Sequence, residues 1–558
     1  MPETLDRQRA GRPAQVSEQI IEQKSGGQSP PPSTASWAAE ANFRYRWLIL
    51  AALILAAAME VLDTTIINVA LPQMAGNLST TIQEIAWVST GYILSNVVVL
   101  PMTAFLNTLF GRRNHLVGSI VLFTVASFFC GTSHSLGGLI VWRILQGAGG
   151  AALISTAQAT LVQVFSPKEQ AVVQPVFLMG LVVFPTLGPT LGGWITDAAN
   201  WNWCFFINVP IGLLAGGLVF FLLHDTEPAR RDEPVDWAGI GLMATGLASL
   251  QYVLEEGEQD DWFSSASIVR LSVLSAITLA AFVVWQLSPR NTHPIVDFRV
   301  LRNGSLSAGI GLFIAVGFGL YGVNFLYPLL TQQLQGLSPL QTGLALLPGG
   351  TATAFSIVFC GVISSSPKSP LDARLLTLLG IMLSMTGMWG LAHLNAQSSV
   401  SDTFWPLIIR GFSVGFLFVP VNQLAIGSLK PAQVNQSVAL LGLARQLGGS
   451  IGIAILATFL QSQQHINRAN LVGYLTPTRP AYAERVSGLA GTLTAHGYSH
   501  ADAQAGALGV IEQVITRQAS ALSFNGSFLL LMGISAAMLP TLLLLRKSKP
   551  GAAPAAMH

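Results

Sequence analysis

Charge is scarce in this chain. Only 10% of its 558 residues are Asp, Glu, Lys or Arg, where soluble domains carry about 25%. Hydrophobic residues make up 51% and the mean hydropathy is +0.55, which excludes an ordinary soluble domain. Cysteine is scarcer still: Cys130, Cys204 and Cys360 sit in or beside apolar segments without metal-ligand spacing, so no disulfide framework or metal site is expected and they read as packing residues. The nine histidines fall in loops, tails or span ends, and no HExxH or Ser/His constellation lies at membrane depth, which argues against an intramembrane enzyme. The net charge of +2 marks no partner, and no nucleic acid is expected. Residues 1–46 hold no apolar run fit for a signal peptide; rich in Ser, Pro and Gln, they read as a disordered cytoplasmic tail.

What the chain has instead is a long series of apolar windows. About fourteen are of span length: 47–71, 85–107, 114–133, 136–164, 172–196, 203–223, 236–254, 267–287, 305–331, 340–364, 373–395, 403–427, 436–461 and 521–545. The 54 glycines suit close helix packing in lipid. With the amino terminus inside, the inner connections collect Arg44, Arg46, Arg112, Arg113, Lys168, Arg230, Arg231, Arg290, Arg299, Arg302, Lys368, Arg374, Lys430, Arg546, Lys547 and Lys549, whereas the short outer loops hold Arg270. This is the positive-inside pattern, and it places both termini in the cytoplasm. An acidic stretch from Glu255 to Asp261 separates spans seven and eight, and a long polar loop at 462–520 precedes the last span.

Few ionisable residues remain within the spans: Glu60 and Asp63 in the first, Arg143 in the fourth, Arg410 in the twelfth and Arg445 in the thirteenth. An acid at the centre of a membrane helix costs about 2.5 to 3.5 kcal/mol on insertion scales and marks a proton relay or substrate path by default. Helical spacing puts Glu60, Asp63, Thr64 and Asn68 on one inward face. For each arginine two readings stand, a structural charge paired with a carboxylate or with carbonyls, or part of a relay. Asp63 likewise either carries a proton or bonds neighbouring helices.

The segment Leu139 to Gly150, with Arg143 near its start, has an echo in Trp405 to Gly415 around Arg410; the Gly188 to Gly193 run in span five has one in Gly442, Gly448, Gly449 and Gly452. Paired repeats of this kind build secondary transporters. They suggest an all-α protein of two six-helix bundles, 47–223 and 305–545, with two inserted spans at 236–287 and a second cytoplasmic tail at 546–558.

Leu62-Asp63-Thr64-Thr65 through Pro72 resembles the first-span signature of the fourteen-span drug/proton antiporters of the major facilitator superfamily. Arg143, Gln146, Gly147, Gly149 and Gly150 are similar to the fourth-span motif associated there with proton transfer, and Gly188, Pro189, Gly192 and Gly193 to the fifth-span motif of exporters. Phe206 to Gly212, Asp236 to Gly239, Asp261 to Ser265 and the long loop before the last span extend the likeness to the EmrB-like inner-membrane pumps of tripartite systems.

The resemblance implies the major facilitator fold. It also implies export of amphiphilic or hydrophobic compounds by proton exchange across a bacterial inner membrane, driven by the proton motive force without a cofactor. The partners it implies are a periplasmic adaptor facing 462–520 and an outer-membrane channel. From the buried charges themselves, Asp63 is expected to be the main coupling site, Glu60, read without the family pattern, an auxiliary proton or cation site, and Arg143 the charge that helps tune both. An uptake symporter or a specific metabolite exporter of the same superfamily are alternatives; a membrane sensor would need a signalling domain, and none is visible.

The chain departs from the family pattern in three places. In the loop between spans two and three only Gly111, Arg112 and Arg113 match, Ala104, Thr108 and Leu109 standing at earlier positions, so a latch relying on the family's Asp is in doubt. Pro175 and Phe184 replace upstream glycines of the exporter motif, and Glu60 is an addition of this chain. For a midplane substrate cavity the candidates are Gln146, Gln158, Tyr321, Asn324, Tyr327, Asn422 and Gln423. An ionised Glu60 would favour lipophilic cations there; dominant arginines would favour weak acids.

Overall fold

Within hydrocarbon every backbone N–H and C=O must bond inside its own segment, so each apolar window is driven to a helix. A computed structural model describes residues 40–225, 235–291, 294–365, 372–395, 397–427, 429, 431–475 and 479–543. Arg230, Arg231, Lys368, Lys430, Arg546, Lys547 and Lys549, residues 1–39 of the amino-terminal tail and the 546–558 tail lie outside them. Residues 40–44, expected to be disordered, are helical.

The first half comprises α1 (Arg46–Leu78), α2 (Ile82–Val99), α3 (Thr103–Phe110), α4 (Arg112–Gly131), α5 (Leu136–Val164), α6 (Pro167–Ala198), α7 (Trp203–Phe206) and α8 (Asn208–Leu222). The inserted pair is α9 (Trp237–Glu256) and α10 (Ala266–Leu287). The second half comprises α11 (Gly304–Leu334), α12 (Pro339–Ser365), α13 (Ala373–Leu391), α14 (Val400–Ile426), α15 (Pro431–Gly473), α16 (Pro480–Ala495) and α17 (His500–Ala537). Among the described residues thirteen helices are long and apolar enough to cross a membrane, α2 and α3 forming one of them. The expected fifth span is also present as the 32-residue α6, Pro167–Ala198.

Helix starts follow local chemistry. Thr81 and Glu84 form a reciprocal capping box at α2, as do Ser166 and Glu169 at α6. Glu169 also pairs with Arg46 at 3.0 Å, placing the starts of α1 and α6 at one face of the protein, here the near face. Asn42 bonds His224 across the same face.

The two halves meet along α6, which packs against both α1 and α12. A Cβ on Gly343 of α12 would stand 3.0 Å from Thr190 N, so the helices approach at backbone distance. Helix α9 packs against α2 and α15, placing the inserted pair beside the seam. Its entry is tied by Asp236, whose carboxylate accepts from Gly239 N (2.8 Å), Trp285 Nε1 (2.8 Å), Gln286 Nε2 (2.8 Å) and Asn291 Nδ2 (2.7 Å).

Two expectations change here. The described residues of 462–520 are mostly helical rather than a loop: α15 and α17 continue beyond the apolar windows and α16 packs on α17, with Arg468 paired to Glu512 at 2.7 Å. Glu255 and Glu256 are not in the loop after span seven but in the last turn of α9, Glu256 buried. Glu60 and Asp63 are therefore not the only carboxylates in the spanning helices.

Candidate functional site

Asp63, near the midpoint of α1, is fully buried beside Arg143, 1% exposed, from the antiparallel α5. Arg143 Nη1 donates to Asp63 Oδ2; Gln146 Nε2 and Asn208 Nδ2 donate to Oδ1 at 2.8 and 2.9 Å. Arg143 is held in turn by Val88 O (2.9 Å) and Gln146 Oε1 (2.8 Å), with its guanidinium 4.3 Å from the centre of the Tyr92 ring. Ser127 Oγ accepts from Gln146 and Asn208, each at 3.1 Å, and donates to Phe205 O at 2.9 Å. A buried ion pair offsets its desolvation only when further hydrogen bonds satisfy both partners. Four helices supply them here.

Small residues allow this convergence. A Cβ on Gly149 would lie 2.8 Å from Phe123 N of α4, and one on Gly147 would strike Tyr92 O, so the fourth-span glycines let α5 sink between α2 and α4. Gly188 and Gly192 do the same for α6 against α1: a Cβ on Gly188 would strike Thr65, and one on Gly192 would stand 2.8 Å from Ile66 O. A Cβ on Gly193 would lie 3.7 Å from Leu340 N of α12, and Pro189 lies inside the unbroken α6. The fifth-span residues therefore clamp α1 within one turn of Asp63 while touching the opposite half.

Glu60 lies one turn nearer the near face, half-buried, with different neighbours. Its Oε1 accepts from Asn96 Nδ2 at 3.2 Å and its Oε2 lies 3.4 Å from Ile154 N. Asn96 Oδ1 accepts from Gln446 Nε2 of α15 at 3.1 Å, so Glu60 connects to the second half through one amide. Among the described residues it forms no ion pair, whereas Asp63 pairs with Arg143. The two carboxylates thus occupy separate environments rather than one shared site. Thr64 turns back to Val61 O, and the side chain of Asn68 lies outside the described residues.

In the second half Arg410 donates through Nη2 to Gly319 O (3.3 Å) and Leu320 O (3.2 Å) of α11, and Arg445 lies 5.8 Å from the centre of the Phe418 ring. No carboxylate pairs with either among the described residues.

The cavity candidates do not converge. Tyr327 is fully buried inside the second half, bonded to Thr403 at 2.9 Å, and presents no surface to a ligand. Asn422 and Gln423 sit in the last turn of α14, away from the midplane, and Asn324 is exposed. Tyr321 packs on Gly449, and Gln158 lies on the near-face half of α5.

At the near face Gly111 takes φ +79°, turning α3 into α4. Arg113 Nε donates to Phe220 O (3.1 Å), Arg113 N donates to Asp225 Oδ1 (2.9 Å), and Arg112 Nη1 reaches Ala159 O at 3.5 Å. Asp225, beyond span six, thus bonds the main chain at the start of α4. A shallow cleft lined by Asn42, Arg112, Gln163 and Asp225 opens there.

Ser127, Asn208, Asn96 and Gln446 were not among the sequence candidates. Their one signal is a polar side chain at a buried position in an apolar helix, a signal shared by many packing residues.

The Major Facilitator Superfamily model matches residues 53–453. The chain is 31% identical over 484 residues to the fatty acid resistance protein FarB of Neisseria gonorrhoeae, covering 87% of this chain and 92% of that protein. It is 32% identical over 494 residues to the multidrug export protein EmrB of Escherichia coli K12, covering 87% and 93% respectively. The human organic anion transporter MFSD10 (TETRAN) superposes with a TM-score of 0.50 at 14% identity, covering 91% of this chain and 100% of that one, a likeness of fold. The chain therefore belongs to the major facilitator superfamily, as a multi-span membrane transporter rather than an enzyme.

Proposed function

We propose that this chain is a proton-coupled exporter of amphiphilic or hydrophobic compounds, working by alternating access in a bacterial inner membrane with both termini cytoplasmic. The observation that carries this reading is the four-helix cage around Asp63, a carboxylate held as the partner of a buried guanidinium. Protonation of Asp63 removes the charge that holds Arg143, and breaking a buried pair costs about 3 to 5 kcal/mol. Because Gly188 and Gly192 press α6 onto the next turn of α1, that change is delivered to the helix joining the halves. Proton arrival is thereby tied to movement at the seam.

Two protons per substrate suffice: one charge crossing 100 mV supplies about 2.3 kcal/mol, against about 2.7 kcal/mol for a hundredfold substrate gradient. Relatives named for multidrug export and for fatty acid resistance support an amphiphilic cargo.

The helical extension 462–520 is the surface offered to a periplasmic adaptor, which would pass cargo to an outer-membrane channel. Ile466, Val472, Tyr474, Tyr498, Leu508 and Val514 are exposed along it. In proteoliposomes, wild type should drive uphill export of a lipophilic dye from a proton gradient; Asp63→Asn, inserted and folded, should not. Deleting 462–520 should abolish adaptor crosslinking; unchanged crosslinking would remove the docking role.

A further inference from the structure

The two inserted spans have no part in the scheme so far, yet α9 brings polar groups to the seam. Gln251 is fully buried; its Nε2 donates to Ser450 Oγ of α15 at 3.0 Å and to Glu255 Oε2 at 3.2 Å. Ser450 Oγ donates to the main-chain O of Gln446 at 3.3 Å, and the Gln446 side chain donates to Asn96, which donates to Glu60. From Glu255, near the far end of α9, to Glu60, near the midpoint of α1, polar groups follow one another through apolar helices, hydrogen-bonded at every step but one: at Gln446 the bond from Ser450 ends on the main-chain O and the next begins at the side-chain amide.

We propose that this chain of groups, Glu255 and Gln251 of α9, Ser450 and Gln446 of α15, and Asn96 of α2, is the route by which protons from the far face reach Glu60. It rests on the reading that Glu60 and Asp63 couple transport to protons and that the far face is extracytoplasmic.

Three observations favour a conducting role over packing. Gln251 Oε1 is buried without a protein partner, and so is Tyr92 Oη, whose ring neighbours Asn96; each is free to bond a bridging water. Amides exchange protons poorly, but they orient water between the two carboxylates. Glu256, accepting from Thr90 at 3.3 Å, doubles the negative charge at the entry, and exposed Asp260 and Asp261 extend it outward. The groups around each end are few. Glu60 is met by Arg445 from α15, Asn96 and Tyr92 from α2, Ile154 N from α5 and Asp63 on its own helix; Glu255 is met by Glu256 and Gln251.

The proton passes from outer water to the Glu255 carboxylate, through ordered water to Glu60, and leaves to the cytoplasm after the halves rock. In proteoliposomes of the full chain, Gln251→Leu should lower proton-driven uphill export about a hundredfold, the low end of what a positioned proton-transfer group contributes. Proton-independent exchange of labelled dye should stay at the wild-type level. Glu255→Gln should shift the dependence of export on outer pH and leave that on inner pH unchanged; Ser450→Thr, which keeps the hydroxyl, should restore a rate lost in Ser450→Ala. Wild-type proton-driven rates in Gln251→Leu and Glu255→Gln, with Glu60→Gln inactive, would overturn the route and leave the coupling reading standing. Full uphill export in both Glu60→Gln and Asp63→Asn would overturn that reading itself. A Gln251→Leu protein that loses dye exchange in step with uphill export would show α9 to be a packing element and sink the route.

Discussion

Arg143 and Arg410 sit at echoed positions of the two halves and reach the first helix of their own half, but they find different partners. Arg143 meets the carboxylate of Asp63 in α1; Arg410 meets two main-chain carbonyls, Gly319 O and Leu320 O, in α11. One scaffold thus holds a neutral, proton-removable pair on one side and a fixed positive charge on the other. A carbonyl cannot be protonated near neutral pH, so of these two sites the one at Arg143 has a partner that can take up a proton. Under the proposed function the first half senses the proton and the second provides a constant field.

The comparison can be broken most forcefully at the pair itself. Asp63→Ala leaves Arg143 buried without its counter-charge and should cost about 3 to 5 kcal/mol, read as thermal unfolding in detergent. Combining Asp63→Leu with Arg143→Met should recover most of that stability and none of the uphill transport. Recovered transport would show the pair to be structural only.

Next in size is the second half. Arg410→Met frees two carbonyls and strands no charge, so it should cost about 1 to 3 kcal/mol, less than Asp63→Ala. Leu320→Asp should be tolerated while Arg410 is present to answer it, and should cost about 3 to 5 kcal/mol in the Arg410→Met background. A double-mutant cycle without that coupling would refute the equivalence of the two sites. Gly192→Ala, which drives a methyl toward Ile66 O, should destabilise by about 1 to 3 kcal/mol and slow transport.

The sequence made the spans legible because lipid leaves the backbone one solution; charge scarcity made Asp63 and Arg143 stand out, and the fourth-span motif Gln146, before any contact was known. It missed Asn208 and Ser127 because an uncharged polar residue in an apolar helix looks the same whether it caps a neighbour or completes a cage. It placed Glu255 and Glu256 in a loop because hydropathy falls at an acidic pair whether or not the helix continues through it. It read 462–520 as a loop for the same reason: a polar helix outside lipid carries no apolar window. Glu60 and Asp63 share a helix face by spacing, but that Asp63 meets Arg143 of α5 while Glu60 meets Asn96 of α2 depends on how those helices pack.

The smallest effect lies at the near end of α9. Burial works against the charge of Asp236, but the bonds from Gly239 N, Trp285, Asn291 and Gln286 outweigh it and hold the carboxyl below its ordinary value of 3.8. A group depressed in the folded state contributes stability above its unfolded pKa and loses it as pH falls through the folded one. Asp236→Asn should therefore lower the unfolding temperature slightly at neutral pH, with the gap to wild type closing below pH 3.8. A gap independent of pH would assign the effect to hydrogen-bond geometry alone.

The most direct measurement is proton movement during export in proteoliposomes, with wild type, Asp63→Asn and Arg410→Gln compared at equal reconstitution. The asymmetry between the halves requires dye export with counter-moving protons in wild type, no proton-driven accumulation in Asp63→Asn, and residual coupled transport in Arg410→Gln. Uphill export coupled to protons in a folded Asp63→Asn protein would contradict it.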